Sequence, residues 1–156
     1  MTASVVVFPT VATPDGWTRE VKGPRVWLVP PTPGGRIVIA PLQARSGMSS
    51  EQFLHQVLLQ ERGRFAQLKQ GEPAFVPTKA GVRCTVIDIA GGDDQPIEWR
   101  CYALFTTPIA FGLMFLQVLP ARHAELRDVF LAILGDVVVP DADPPPQIAM
   151  APWDEL

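Results

Sequence analysis

Alternation of apolar and polar residues is most regular between residues 82 and 119, where three runs typical of β-strands follow one another. The segment Gly-Gly-Asp-Asp at residues 91–94 is a turn signal between the first two runs, and Thr-Thr-Pro at residues 106–108 is another before the third. The third run, residues 109–119, is apolar at almost every position. This pattern predicts three consecutive antiparallel strands joined by short turns.

The first predicted hairpin has a register that separates an apolar face from a mixed one. If the turn is centred on residues 91–94, Cys84 lies opposite Cys101. The same register places Val86 opposite Trp99, on the same apolar face, and a slip by one residue would mix the two faces. We therefore expect Cys84 and Cys101 to be buried, reduced cross-strand neighbours, and Trp99 to be a core residue packed on a helix.

The third strand leaves two interpretations open, because both of its faces are apolar. It is either a central strand buried on both sides or a strand with an exposed apolar face that binds a partner. A tight turn at residues 106–108 places its phenylalanines beside Tyr102, whereas a turn one residue longer exchanges the faces. If the helices cover the face of Cys84, we expect the other row to be covered by a second copy, a client segment or the C-terminal tail. The predicted protein-binding residues are Tyr102, Leu104, Phe111, Leu113, Phe115 and, in the tail, Trp153.

The remaining pattern predicts short strands around this centre and two long helices. Ser49 and Gln52 form a capping box at the start of a helix over residues 49–69, and Pro120 precedes a second helix over residues 121–134. Short strands are expected at residues 1–8, 18–22, 25–29 and 36–40, and an edge strand at residues 72–76, next to prolines. The fold class is therefore α+β, an antiparallel sheet of about six to seven strands with two main helices packed on it. Residues 1–138 form one domain, and residues 139–156 form a proline-rich tail.

Composition and charge narrow the classes of function. The chain of 156 residues has a net charge of -3, and its 13 basic residues are scattered, so nothing indicates nucleic-acid binding. No apolar run is long enough to span a membrane, and the first residues do not resemble a signal peptide. We expect a cytoplasmic protein without direct membrane insertion.

Candidate catalytic and metal-binding residues are few. His55 and His123 lie in the predicted helices, without a nucleophile or carboxylate at a spacing that indicates a catalytic pair. Asp93 and Asp94 could bind a cation only with several further oxygen ligands. We expect no catalytic residues, no metal and no cofactor, so that the protein is not an enzyme.

The order of elements resembles the Mog/PsbP-like fold over about residues 5–138. The similarity consists of a Pro-Asp-Gly-Trp loop at residues 14–17, a helix after Ser-Gly-Met-Ser-Ser at residues 46–50, a Gly-Glu-Pro strand at residues 71–73, the long hairpin, and a closing helix ending in Phe-Leu-Ala-Ile-Leu at residues 130–134. The DcrB-like bacterial family is the most similar branch, and the Eag-type chaperones of type VI secretion effectors match in size and order. The resemblance implies a non-catalytic binding protein, and the Eag-type branch implies a homodimer that holds apolar effector segments on its sheet.

Three functions follow from these observations. The first is a non-enzymatic cytoplasmic binding module, a chaperone or adaptor for a secretion-system effector that binds apolar segments on a sheet face. The second is a structural subunit of a larger assembly that uses the C-terminal tail as a tether. The third is an enzyme of unrecognised type.

Overall fold

The computed structural model describes residues 7–62, 67–92 and 96–140, and it contains nine strands and two α-helices. The strands are β1 (Thr18–Lys22), β2 (Arg25–Val29), β3 (Gly35–Ile39), β4 (Gln43–Ala44), β5 (Gln67–Gln70), β6 (Ala74–Val76), β7 (Arg83–Gly92), β8 (Pro96–Thr106) and β9 (Ala110–Val118). The helices are α1 (Ser50–Arg62) and α2 (His123–Gly135), and one turn of 3-10 helix (Pro120–Arg122) precedes α2.

All strands belong to one antiparallel sheet, in the order β1-β2-β3-β9-β8-β7-β5. Strand β4 pairs with β9, and β6 pairs with β7 beyond the end of β5, so β7 has two short strands along its outer edge. The predicted α+β class with two helices on an antiparallel sheet is confirmed. The sheet has more strands than predicted because β4 and β5 are too short and too polar to show an alternating pattern.

The hairpin of β7 and β8 has the predicted faces but a different register. Cys84 lies opposite Phe105, and Cys101 lies opposite Asp88, so the prediction that the two cysteines are cross-strand neighbours is wrong. The strands continue through Gly91, where the ladder becomes irregular, and the connection falls at residues 93–95, outside the described residues. Because the partner of each residue moves by four positions, an even number, every side chain keeps its predicted face. Both cysteines are buried and free, as predicted.

Helix α2 packs on one face of this sheet. Its residues Leu126, Phe130 and Leu134 are at most 1% exposed and follow the helical period. They join the apolar side chains of the face that carries both cysteines. The helix lies very close to β3, since a Cβ atom at Gly35 would be 2.7 Å from the Leu126 Cδ1 atom. Trp99 packs at the margin of this cluster and is only partly buried, so it is a weaker core residue than predicted.

Helix α1 packs on the opposite face, where the sequence had suggested an exposed row. The turn before β9 is tight, as one interpretation required, because Tyr102 pairs with Phe115 and Leu104 pairs with Leu113. The five predicted interface residues of the sheet therefore share a face, but none is more than 1% exposed; they are Tyr102, Leu104, Phe111, Leu113 and Phe115. They lie in one apolar cluster with Phe53, Val57 and Leu58 of α1.

The expectation that this row faces outward is wrong because the two helices do not share a face of the sheet. Each helix covers one side, and strand β9 is buried on both, which was the alternative interpretation. The aromatic ring of Phe53 lies 4.6 Å from that of Phe111, between centroids. The cover of the row is thus a helix of the same domain.

The predicted start of α1 is confirmed, whereas its end differs from the prediction. Ser49 and Gln52 form the predicted capping box, with the Ser49 amide donating to Gln52 Oε1 at 2.8 Å and the Gln52 amide donating to Ser49 Oγ at 3.2 Å. Helix α1 ends at Arg62 instead of residue 69, and the chain continues into β5. Gly135 is the last residue of α2, and Asp136 is its C-cap.

The predicted division into a domain of residues 1–138 and a tail of residues 139–156 stays a prediction. Residues 1–6, where a first strand was expected, and residues 141–156 lie outside the described residues. Thr10 forms an isolated antiparallel bridge with Val138, which ties the first described loop to the segment after α2. Neither helix, nor the 3-10 turn, in the described part of the chain has the length and apolar character needed to cross a membrane.

Candidate functional site

A network of charged side chains lies on the α1 face, beyond the apolar cluster. The Arg100 guanidinium lies 3.3 Å from the Glu61 carboxylate of α1 and donates to Glu98 Oε2 at 2.6 Å. Gln117 Nε2 donates to Glu98 Oε1 at 2.7 Å, and Arg36 Nε donates to Gln117 Oε1 at 3.0 Å. This network joins the end of α1 to three adjacent strands of the sheet.

The chemistry of this network is that of a structural ion cluster. Arg100 and Glu61 are 3% and 1% exposed, so their charged groups are withdrawn from solvent. Burial by itself would lower the pKa of Arg100, but Tyr102, Glu61 and Glu98 raise it above its usual value, so the guanidinium stays charged. Burial also raises the pKa of Tyr102 well above its usual value, which keeps its hydroxyl protonated. Sequence reasoning missed Arg100 and Glu61, since a buried ion pair has no local pattern.

A second polar cluster lies on the α2 face. Arg127 of α2 donates to both Asp88 oxygens, at 3.0 and 2.8 Å, and the rings of Trp99 and His123 stack with their centroids 4.4 Å apart. Burial raises the pKa of the Cys101 thiol and lowers the pKa of His123. A nucleophilic cysteine needs a lowered pKa, so Cys101 lacks the property that thiolate catalysis requires.

The arrangement of His, Cys, Asp and Glu side chains bears on whether the protein can bind a metal ion. Within residues 7–62, 67–92 and 96–140, no group of three or more His, Cys, Asp or Glu side chains is placed to hold a metal ion. His55 is exposed on α1. Asp93 and Asp94 lie outside the described residues.

Among the residues that the structure describes, the largest exposed apolar side chain belongs to an outer strand. Phe75, in the middle of β6, is 68% exposed, and the Arg83 guanidinium carbon lies 4.8 Å from the centroid of its ring. Pro73 and Pro77 flank the strand and limit it to three residues, because proline cannot donate a hydrogen bond to the ladder. Contiguous exposed apolar surface, more than one exposed side chain alone, is typical of binding sites, so the surroundings of Phe75 decide its role.

Two apolar grooves lie on either side of Phe75. The inner groove, of about 220 Å³, separates β6 from the start of α1 and is lined by Ser50, Glu51, Leu54, Pro73, Phe75, Arg83, Thr85 and Leu104. The outer groove, of about 500 Å³, is more open and is lined by Phe75, Val76, Pro77, Val82, Arg83 and Cys84. We call Phe75 and the residues lining these two grooves the Phe75 surface. Leu104, one of the predicted binding residues, forms part of its floor.

The sequence predicted the edge strand but not the exposure of Phe75. Ala74 and Val76 pair with Val86 and Cys84, whose side chains belong to the α2 face, so Phe75 must point to the other face. Helix α1 begins beside this position and leaves the ring uncovered. The signal was present in the segment Pro-Ala-Phe-Val-Pro at residues 73–77, where an aromatic residue alternates with two small apolar ones.

The other outer strand of the sheet, β1, is more polar. All of its side chains except that of Lys22 are exposed, and Val21 is 77% exposed. Three of the five residues of β1 are charged, and charged side chains protect a sheet edge from pairing with another strand. Val21 lines neither of the two grooves beside Phe75. Val21 is therefore a matched control position for Phe75.

Comparisons with known proteins identify the fold. The Ran-binding protein Mog1p of Saccharomyces cerevisiae is similar over 84% of this chain and 89% of its own, with a TM-score of 0.59 and 13% identity. PA94 of Pseudomonas aeruginosa, a protein of unknown function classed as a candidate regulator, is similar over 82% of this chain and 99% of its own, with a TM-score of 0.55 and 11% identity. The chain therefore has a Mog1/PsbP-like fold, as the resemblance implied. No protein-family model matches it, and no curated protein matches its sequence significantly.

Proposed function

We propose that this protein is a binding module that holds an extended, apolar segment of a partner protein on the Phe75 surface. The observation that carries the proposal is the 68% exposure of Phe75 on an outer strand, between two apolar grooves. A helix covers the apolar cluster at the centre of each sheet face, so a partner segment has no access to either cluster. Among the residues that the structure describes, the β6 edge combines an exposed aromatic ring with open apolar grooves.

Two physical contributions favour an extended segment as the ligand. Within the described residues, β6 pairs with β7 on one side only, so its other side can accept a strand from a partner through backbone hydrogen bonds. The Phe75 ring and the grooves beside it then select apolar side chains, and a central aromatic residue commonly supplies a large share of the binding energy. Backbone pairing supports affinity, and the grooves provide specificity.

One of the two similar structures supports a binding role, by fold alone. It is Mog1p, a Ran-binding protein. A secretion-system effector with apolar segments is one partner that would fit the Phe75 surface. This choice of partner rests on the resemblance to effector chaperones. In that case the segment would lie along the β6 edge instead of on a sheet face. Homodimer formation and a cytoplasmic site of action belong to the same proposal.

Selection from a displayed random-peptide library against the full-length protein tests the proposal. We expect enriched peptides with alternating apolar residues that bind wild type and lose affinity by about tenfold or more, roughly 1.4 kcal/mol, with Phe75→Asp. Val21→Asp, which places the same charge on the other outer strand, should leave the affinity unchanged. Failure to enrich any peptide, or equal affinity for Phe75→Asp and wild type, would overturn the proposal.

A further inference from the structure

The chain carries its own candidate ligand for the Phe75 surface. Residues 141–156, which follow the last described residue, have the sequence Asp-Ala-Asp-Pro-Pro-Pro-Gln-Ile-Ala-Met-Ala-Pro-Trp-Asp-Glu-Leu. Its apolar side chains Ile148, Met150 and Trp153 are separated by alanine or proline, which suits an extended conformation. We infer that this C-terminal segment docks on the Phe75 surface of its own chain and competes there with a partner. The competition rests on the proposed function, but the docking does not.

The first argument is where the segment starts. The Gly135 carbonyl at the end of α2 accepts a hydrogen bond from the Lys79 amide at 2.9 Å, and Lys79 Nζ lies 2.6 Å from Asp136 Oδ1. Helix α2 therefore ends against the loop that directly follows β6. Val139, close to the last described residue, packs on the same apolar cluster as Val76, which lines the outer groove. The segment begins on the side of the sheet where that groove opens.

The second argument is length. An extended chain advances about 3.3 Å per residue, so the stretch from Pro140 to Trp153 can span roughly 40 Å. A domain of this size has a radius of gyration of about 15 Å, so the segment can reach the β6 edge without strain. The length of the segment therefore permits contact between Trp153 and the Phe75 surface.

The third argument is charge. The segment contains the acidic residues Asp141, Asp143, Asp154 and Glu155 and no basic residue. The residues that line the outer groove include the cation Arg83 and no anion. The inner groove also contains Glu51, so it is less suited to an acidic ligand. The outer groove is thus complementary to the segment in both apolar character and charge.

A synthetic peptide of residues 141–156 tests the docking without any partner. Fluorescence anisotropy would measure its affinity for full-length Trp153→Ser, in which the chain's own segment is weakened. We expect the peptide to bind Trp153→Ser at least about tenfold more tightly than wild type, because the intact segment occupies the site. Binding should be lost in Phe75→Asp with Trp153→Ser and retained in Val21→Asp with Trp153→Ser. A control peptide that itself carries Trp153→Ser should not bind.

Three results would overturn the inference. The first is absence of peptide binding to Trp153→Ser, and the second is binding that Phe75→Asp does not change. The third is a wild-type dimer in sedimentation velocity that dissociates in Trp153→Ser, because the segment would then dock on a second copy. If library peptides bind at Phe75 while the 141–156 peptide does not, the inference fails and the proposed function stands. If only the 141–156 peptide binds there, the docking stands and the partner-binding function fails.

Discussion

At the scale of single residues, the buried charges explain more of this structure than the apolar pattern alone can. Arg100 joins Glu61 of α1 to Glu98 on its own strand, so one guanidinium holds a helix against the sheet. Removing one member of a buried ion pair leaves the other charge without compensation. The effect on stability should therefore far exceed that of an exposed pair.

Arg100→Met tests this point. It removes the cation beside the Glu61 carboxylate, which is 1% exposed, so we expect a loss of about 3–5 kcal/mol in the free energy of unfolding. Urea denaturation followed by circular dichroism would measure it. Lys79→Met, which breaks the exposed pair with Asp136, is the matched control and should stay close to wild type. Equal losses in the two variants would contradict a structural role for the Arg100 cluster.

The two thiols provide a second test at this scale. Burial raises the pKa of Cys84 to about 12 and also raises that of Cys101, so neither forms a thiolate at neutral or slightly alkaline pH. We expect little reaction with a thiol reagent in the native protein, and two reactive thiols after unfolding in guanidinium chloride. Fast reaction of either cysteine with the reagent in the native protein would contradict the burial of the two thiols beneath α2.

At the scale of elements, the sequence predicted the strands and their faces but not the positions of the helices. The alternation in residues 82–119 was sufficient to identify which side chains share a face, because side chains alternate with a period of two. It did not determine the register, since a turn centre two residues further along preserves every face. Whether α1 and α2 share a side of the sheet depends on the path of the connecting chain, which no local pattern records.

The same limit explains the error about the aromatic row. An apolar face on a strand indicates burial, but it does not identify the covering group as a helix, a second copy or a client. Phe65 and Leu68 continue the apolar stripe of α1, so the sequence predicts a helix as far as residue 69. The structure instead places β5 at Gln67–Gln70. The exposure of Phe75 could not be predicted because β6 has only three residues between prolines. So short a strand does not show an alternating pattern from which an exposed face can be identified.

The aromatic row can be tested as a structural core. Leu113→Asp combined with Phe115→Asp places two carboxylates between α1 and the sheet, where both native side chains are at most 1% exposed. We expect this variant not to fold, as measured by the loss of native circular dichroism and of a cooperative urea transition. Ile109→Asp with Leu119→Asp, at exposed positions flanking the same strand, should remain folded. A folded Leu113 and Phe115 variant that lost only a partner would restore the interpretation as an interface.

At the scale of the whole molecule, the described part of the fold has one helix on each face of the sheet and two unlike edges. The β1 edge is charged and exposed, whereas the β6 edge combines an exposed aromatic ring with apolar grooves. Charged side chains make an outer strand resist pairing, whereas the prolines beside β6 confine any pairing there to the three residues between them. The distribution of surface chemistry therefore points to one edge as the place where a partner binds, although the fold itself is compatible with many functions.

Site-specific photo-crosslinking tests this claim most directly. A benzophenone amino acid at position 75, in the full-length protein within its native cells, would be compared with the same group at position 21. We predict a discrete adduct with a partner protein from position 75, absent from position 21 and suppressed by an excess of a library-selected peptide. Adducts that are the same at both positions, or no adduct from position 75, would contradict the assignment of binding to the Phe75 surface.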